Sequence, residues 1–108
     1  MPINHPLEAD CHHAFERMNQ DRYGKHAAAA RAHARQAGRE AALQNLGLEV
    51  VSPHIENVRI LHTEYEHAFA EVERLHISAL PPIAFQEQFD ALSQQDLSII
   101  ASANEIEA

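Results

Sequence analysis

The sequence predicts an all-α domain: a small helical bundle built on a long helical hairpin, with a short C-terminal pair of helices docked on it. Three observations carry that prediction. Apolar residues recur at three- and four-residue steps through most of the chain, the period of one helix face, and no convincing strand can be read. Glycine occurs only three times, which argues against a turn-rich all-β fold. Alanine is abundant, while aromatic residues make up 6% and Trp is absent, so close helix packing through small side chains is favoured over a bulky core. A chain of 108 residues suits a single domain over 1–108, with the ends at 1–5 and 103–108 expected to fray. A domain of that size buries about two thirds of its unfolded surface, enough for one modest core but not for a large internal ligand cavity.

The first helix begins near Pro6, and Leu7, Cys11, Ala14, Phe15 and Met18 form its apolar stripe. Gly24 interrupts that pattern. The second helix covers about Lys25 to Leu46, through a segment of high helix propensity, because alanine loses no side-chain entropy. Arg31, Arg35 and Arg39 step by four and line one face; Ala29, Ala32, Gln36 and Leu43 lie roughly opposite. Gly38 sits in the interior at a cost of about 1 kcal/mol relative to Ala. Gly47 is the expected stop, as the residue just past the helix end.

After a short apolar stretch, Ser52 followed by Pro53 predicts a helix start, a cap and then proline at the first position. The third helix is expected to run to about Leu80. Val58, Leu61, Tyr65, Ala68, Phe69, Val72, Leu75 and Ala79 form a sustained apolar face, which makes this helix the expected spine, with Leu61, Phe69 and Val72 deeply buried. Pro81 and Pro82 end it. The last segment reads as two short helices. Phe85, Phe89 and Leu92 share a face on the first, Ser93 to Asp96 resembles a capping box, and Leu97, Ile100 and Ala101 supply the buried side of the second.

Charge is laid out unevenly. Six of the eight basic residues (Arg17, Arg22, Lys25, Arg31, Arg35 and Arg39) fall between positions 17 and 39 against Asp21 alone, a net of +5. From Glu40 onward twelve acids face only Arg59 and Arg74, a net of −10. The first sixteen residues add −3, which closes on the whole-chain charge of −8. The basic stripe therefore needs a counter-charge, from the chain's own acidic helices, from a second copy, or from an external anion. The favoured solution is pairing of Arg31, Arg35 and Arg39 with acids such as Glu64, Glu66 and Glu71, and these six are the protein-interaction candidates. A phosphate backbone is the alternative counter-charge. The stripe, however, lacks interleaved aromatics and a helix-turn-helix pattern.

Nine histidines raise a metal alternative. Glu64 with His67, and Glu73 with His76, are Glu-x-x-His pairs, the spacing that carboxylate-bridged bundles use because residues three apart point to one side. Only His62, Glu66, Glu73 and His76 lie near enough to the apolar stripe to reach a core site, so these are the metal candidates; the simpler reading is local Glu–His pairing on exposed faces. Cys11 lies on the first apolar stripe, where a cysteine is an inert small hydrophobe, and it is not read as a nucleophile. No phosphate loop or hydrolase motif is present.

A single cysteine allows no intramolecular disulfide. The N-terminal residues lack a basic segment leading into an apolar run, and no stretch approaches the ~18 consecutive apolar residues of a membrane span. The expectation is a cytoplasmic, non-enzymatic protein-binding module without a cofactor, acting as an adaptor, inhibitor or accessory subunit through the acidic-rimmed third helix, and forming a homodimer. The nucleic-acid and metal-binding readings stand as alternatives.

Overall fold

A computed structural model of the chain describes residues 8–20, 24–51, 53–56 and 58–105. The described residues are mostly helical and hold no strand. The elements are α1 (Glu8–Gln20), α2 (Lys25–Leu43), the single turn α3 (Pro53–Glu56), α4 (Arg59–Ile77) and α5 (Pro82–Glu105). The all-α bundle is as predicted, with α2 and α4 as its principal helix pair. The two run side by side in the same direction rather than as a hairpin, Arg35 meeting Glu64 and Ala42 meeting His76 further along. The extents of 42 × 33 × 20 Å describe a flattened body about two helix diameters thick.

The centre of the molecule is α2, not the helix expected to be the spine. Eleven of its residues between Ala27 and Ala42 are buried, on every side of the helix. It packs on α4 most extensively and also on α1 and α5. Alanine makes this possible, because a helix surrounded by neighbours must present little side-chain bulk in each direction. The larger groups come from outside: Leu61, Tyr65, Phe69 and Val72 from α4, Ile55 from α3, Phe89 from α5 and Cys11 from α1. Leu61, Phe69 and Val72 are buried as predicted.

Gly38 marks the closest crossing. A Cβ there would stand 3.1 Å from the Tyr65 carbonyl carbon and 3.2 Å from the Phe69 nitrogen, and would overlap the Tyr65 oxygen. The α4 backbone lies directly on α2 at this point, and only glycine admits it.

Three boundaries differ from expectation. α2 ends before Gly47: Asn45 takes the left-handed conformation (φ 58°), and paired bonds from Asn45 N–H to the Ala42 carbonyl (3.0 Å) and from Leu46 N–H to the Ala41 carbonyl (2.9 Å) close the helix. The expected third helix begins at Pro53 but divides. Val58 is extended (φ −118°, ψ 107°) and starts α4 by accepting from His62 N–H at 3.0 Å. This break sends Ile55 into the core. Ser52, the expected cap, lies outside the described residues. At the far end Ala79 is not on the apolar face but beyond the helix, exposed and left-handed (φ 53°).

The C-terminal pair of helices is instead one continuous helix of 24 residues. Ser93, read as the cap of a second piece, is a buried helical residue whose Oγ accepts from Gln36 Nε2 at 3.1 Å. Its hydroxyl serves a neighbouring helix rather than its own backbone. Continuity also turns Leu97 and Ala101 outward, against the buried side that the sequence predicts for both. The fraying expected from 103 begins no earlier than the end of α5, since Ala103 is buried; 1–5 and 106–108 lie outside the described residues.

Candidate functional site

The basic stripe of α2 meets the acids of two helices in one cluster. Arg35 donates from Nη1 to Glu64 Oε2 at 2.8 Å, and from Nε and Nη2 to Asp96 Oδ1 at 2.9 and 2.7 Å. Arg39 donates from Nη1 to Asp96 Oδ2 and, at 3.0 Å, to Gln36 Oε1, while its Nη2 lies 3.4 Å from Glu71 Oε1. Asp96 of α5 thus receives both guanidinium groups of α2, and Glu64 and Glu71 of α4 flank them. Arg39 and Asp96 are only 4% and 3% exposed, so this is a buried charge cluster bridging three helices. Burial works against the Arg35 charge, but hydrogen bonds and charge from Asp96 and Glu64 outweigh it and hold its pKa above the usual arginine range. Arg39 Nε is buried without a hydrogen-bond partner.

The cluster floors an open, polar cleft of about 610 Å³ between α4 and α5, whose walls also carry His67, Arg74, Leu92 and Gln95. Its carboxylates are held by arginine, an arrangement suited to fixing helices against one another.

Of the six interaction candidates, Arg35, Arg39, Glu64 and Glu71 come together here. Glu66 does not; it pairs with His62 one turn away on α4 (2.8 Å). Arg31 is exposed on the rim of a separate apolar groove with Phe15, Met18 and Ile60. The cluster's central carboxylate, Asp96, was missed, together with Gln36 and Ser93 as its polar neighbours. A signal existed: Phe89, Ser93, Asp96, Ile100 and Ala103 step by four and three, so an uninterrupted helix places Ser93 and Asp96 on the buried face.

The metal candidates divide. His62 and Glu66 form their own half-exposed pair, while Glu73 and His76 border a shallow depression with Ala42, Leu46 and Phe69. His76 lies 3.2 Å through Nε2 from the Ala42 carbonyl and its ring packs 4.9 Å from that of Phe85. Among the described residues no three His, Cys, Asp or Glu side chains are grouped as metal ligands. Cys11 is buried in the core between α1 and α2.

What the cluster leaves outside is the other half of α5. Ile83 is 77% and Leu97 52% exposed, and Ile77 at the end of α4 is 82% exposed. α5 carries Glu87, Asp90, Asp96 and Glu105 and no Lys or Arg. Among the described residues no helix is long and apolar enough to cross a membrane. No family model, no characterised protein and no solved structure matches this chain.

Proposed function

We propose that this chain is a non-enzymatic protein-binding module, and that the outward face of α5 takes a helix of the partner. The observation that carries the reading is the exposure of Ile83 and Leu97 on a helix whose opposite face is pinned by the buried Asp96 cluster. Large apolar side chains displayed on a rigidly held element mark contact surfaces, because their burial by a partner is favourable and little ordering is needed first. The acidic-rimmed α4, first candidate for that role on sequence, is committed to the core of the chain itself.

Charge supports this reading over nucleic-acid binding. Two of the three stripe arginines are engaged by Glu64, Glu71 and Asp96, and the exposed helix is acidic. The cytoplasm is the proposed compartment, on the one free cysteine, Cys11, in the whole sequence.

A photo-crosslinking amino acid at position 97, expressed in the source cells at native level, tests the proposal. Thr63, exposed on α4, is the control position. Adducts to a protein at 97, exceeding those at 63 and suppressed by excess unmodified chain, are expected. Equal labelling at the two positions overturns the reading.

A further inference from the structure

We propose that the groove between α1, α2 and the start of α4 binds a small amphipathic monoanion of the class of a medium-chain carboxylate. The chain lies among the apolar side chains of the groove, and the carboxylate meets Arg31. This site is apart from the outward face of α5 and does not depend on the reading of that face.

α1 finishes where α2 and α4 start, and the groove lies among these three ends. Ala27 of α2 and Leu61 of α4, 4% and 3% exposed, lie deepest in it. Alanine at 27 leaves room that a longer side chain would fill. Phe15 and Met18, half-buried at the end of the α1 stripe, line one side, and Val58 and Ile60 line the other. Ile60 is 60% exposed and stands at the rim. The space is about 380 Å³. Sites for small molecules are of this size, concave and mostly apolar, with few polar groups to orient the ligand. At about 30 Å³ for a water-sized group, the groove holds about a dozen non-hydrogen atoms. A partner helix, about 10 Å across, does not fit.

The polar side chains of the groove are Asn19 and Arg31, both exposed. Arg31 stands one turn along α2 from Ala27, on the same side of the helix. It is the stripe arginine left out of the Asp96 cluster, and among the described residues it has no ion pair or hydrogen bond. Among the described residues no acid lines the groove, and Glu16 of α1 is turned to His12, 3.1 Å away. An apolar trough with one unanswered guanidinium at its edge complements an apolar chain that ends in one negative charge. Guanidinium holds carboxylate through two parallel N–H···O bonds, and the Asn19 amide is a further donor. A neutral ligand leaves Arg31 unanswered, and a cation meets it with like charge.

Amide chemical shifts of the isotope-labelled full chain, titrated with decanoate, read the site directly. Saturable shifts are expected at Asn19, Ala27, Arg31 and Ile60, with one decanoate bound per chain. Arg31→Gln keeps most of the side-chain length and removes the charge. It should weaken binding about tenfold, while the melting temperature stays unchanged because Arg31 is exposed and unpaired among the described residues. Arg59→Gln is the control, an exposed arginine next to Ile60 in sequence that does not line the groove, and it should leave the affinity unchanged. Decylammonium, with the same chain and the opposite charge, should not shift the groove amides. The absence of a saturable shift at the groove, an Arg31→Gln chain that binds as wild type, equal weakening by the two arginine variants, or an equal response to decylammonium overturns the proposal.

Discussion

Gly38 costs α2 about 1 kcal/mol of helix propensity, and the α4 backbone resting on it explains why an alanine is not there instead. Gly38→Ala gains the propensity but forces a Cβ into the Tyr65 carbonyl. Overpacking of this kind costs about 1–3 kcal/mol, so a net loss of stability is expected in denaturant melts. A gain would mean that the helices do not touch there. Tyr65, on the other side of the same crossing, is fully buried and donates its hydroxyl to the Val50 carbonyl. Burial first, and then the charges of Cys11 and Glu49, push its pKa up to about 12. The unfolded chain releases this proton near the ordinary value of 10, at which pH the folded chain still holds it. The contribution is therefore complete below about pH 10 and is lost as pH rises from there towards 12. Alkaline titration of the melting temperature should fall over that window, and Tyr65→Phe should flatten the fall while lowering stability at neutral pH through the missing hydrogen bond.

At the scale of elements, the helix ends carry information that residue preference alone does not. Asn45 at the end of α2 tolerates a left-handed backbone, as asparagine does. Ala79 at the end of α4 occupies the same region with a Cβ, at a cost of about 1–2 kcal/mol. Ala79→Gly removes that clash, at the expense of a more flexible unfolded chain, and should stabilise the protein by about 1 kcal/mol. An unchanged or lowered midpoint in chemical denaturation would show that the backbone at 79 is not left-handed. The same economy of local signals misplaced the break in α5. A Ser93–Asp96 box has the composition of a helix start, but these side chains are drawn to Gln36, Arg35 and Arg39 of α2, and the helix passes through.

Across the whole molecule, the two long partners of α2 are held by different forces. α4 is joined mainly by an apolar face of Leu61, Tyr65, Phe69 and Val72, with Glu64 and Glu71 ion-paired at its edge, whereas the middle of α5 is joined by ions and amides. A buried ion cluster contributes little net stability when intact, because desolvation offsets the attraction, but losing one partner is costly. Asp96→Ala leaves two guanidinium groups without their shared acceptor and should cost about 3–5 kcal/mol. Native-state hydrogen exchange should show where that loss falls. The amides of α5 are expected to open at lower free energy than those of α2 and α4, and Asp96→Ala should lower α5 selectively. Uniform loss across all three helices would mean that α5 is part of one cooperative unit with α2 and α4.

The order of residues makes legible the helical class, the alanine-rich second helix, the buried face of α4 through Leu61, Phe69 and Val72, and the need of Arg35 and Arg39 for acids such as Glu64 and Glu71. Those follow from local periodicity and from charge balance, both of which are written in the order of residues. Packing in three dimensions is what reveals that α2 is enclosed by its neighbours, that Gly38 is a contact rather than a defect, and that Asp96 is the acceptor shared by both arginines. It also turned Leu97 and Ala101 from supposed core into surface. The physical reason is the same in each case. Whether a polar side chain caps its own helix or bonds across to another depends on which groups lie near it in space. A break placed at Ser93 or omitted there changes the face on which every later residue of α5 lies.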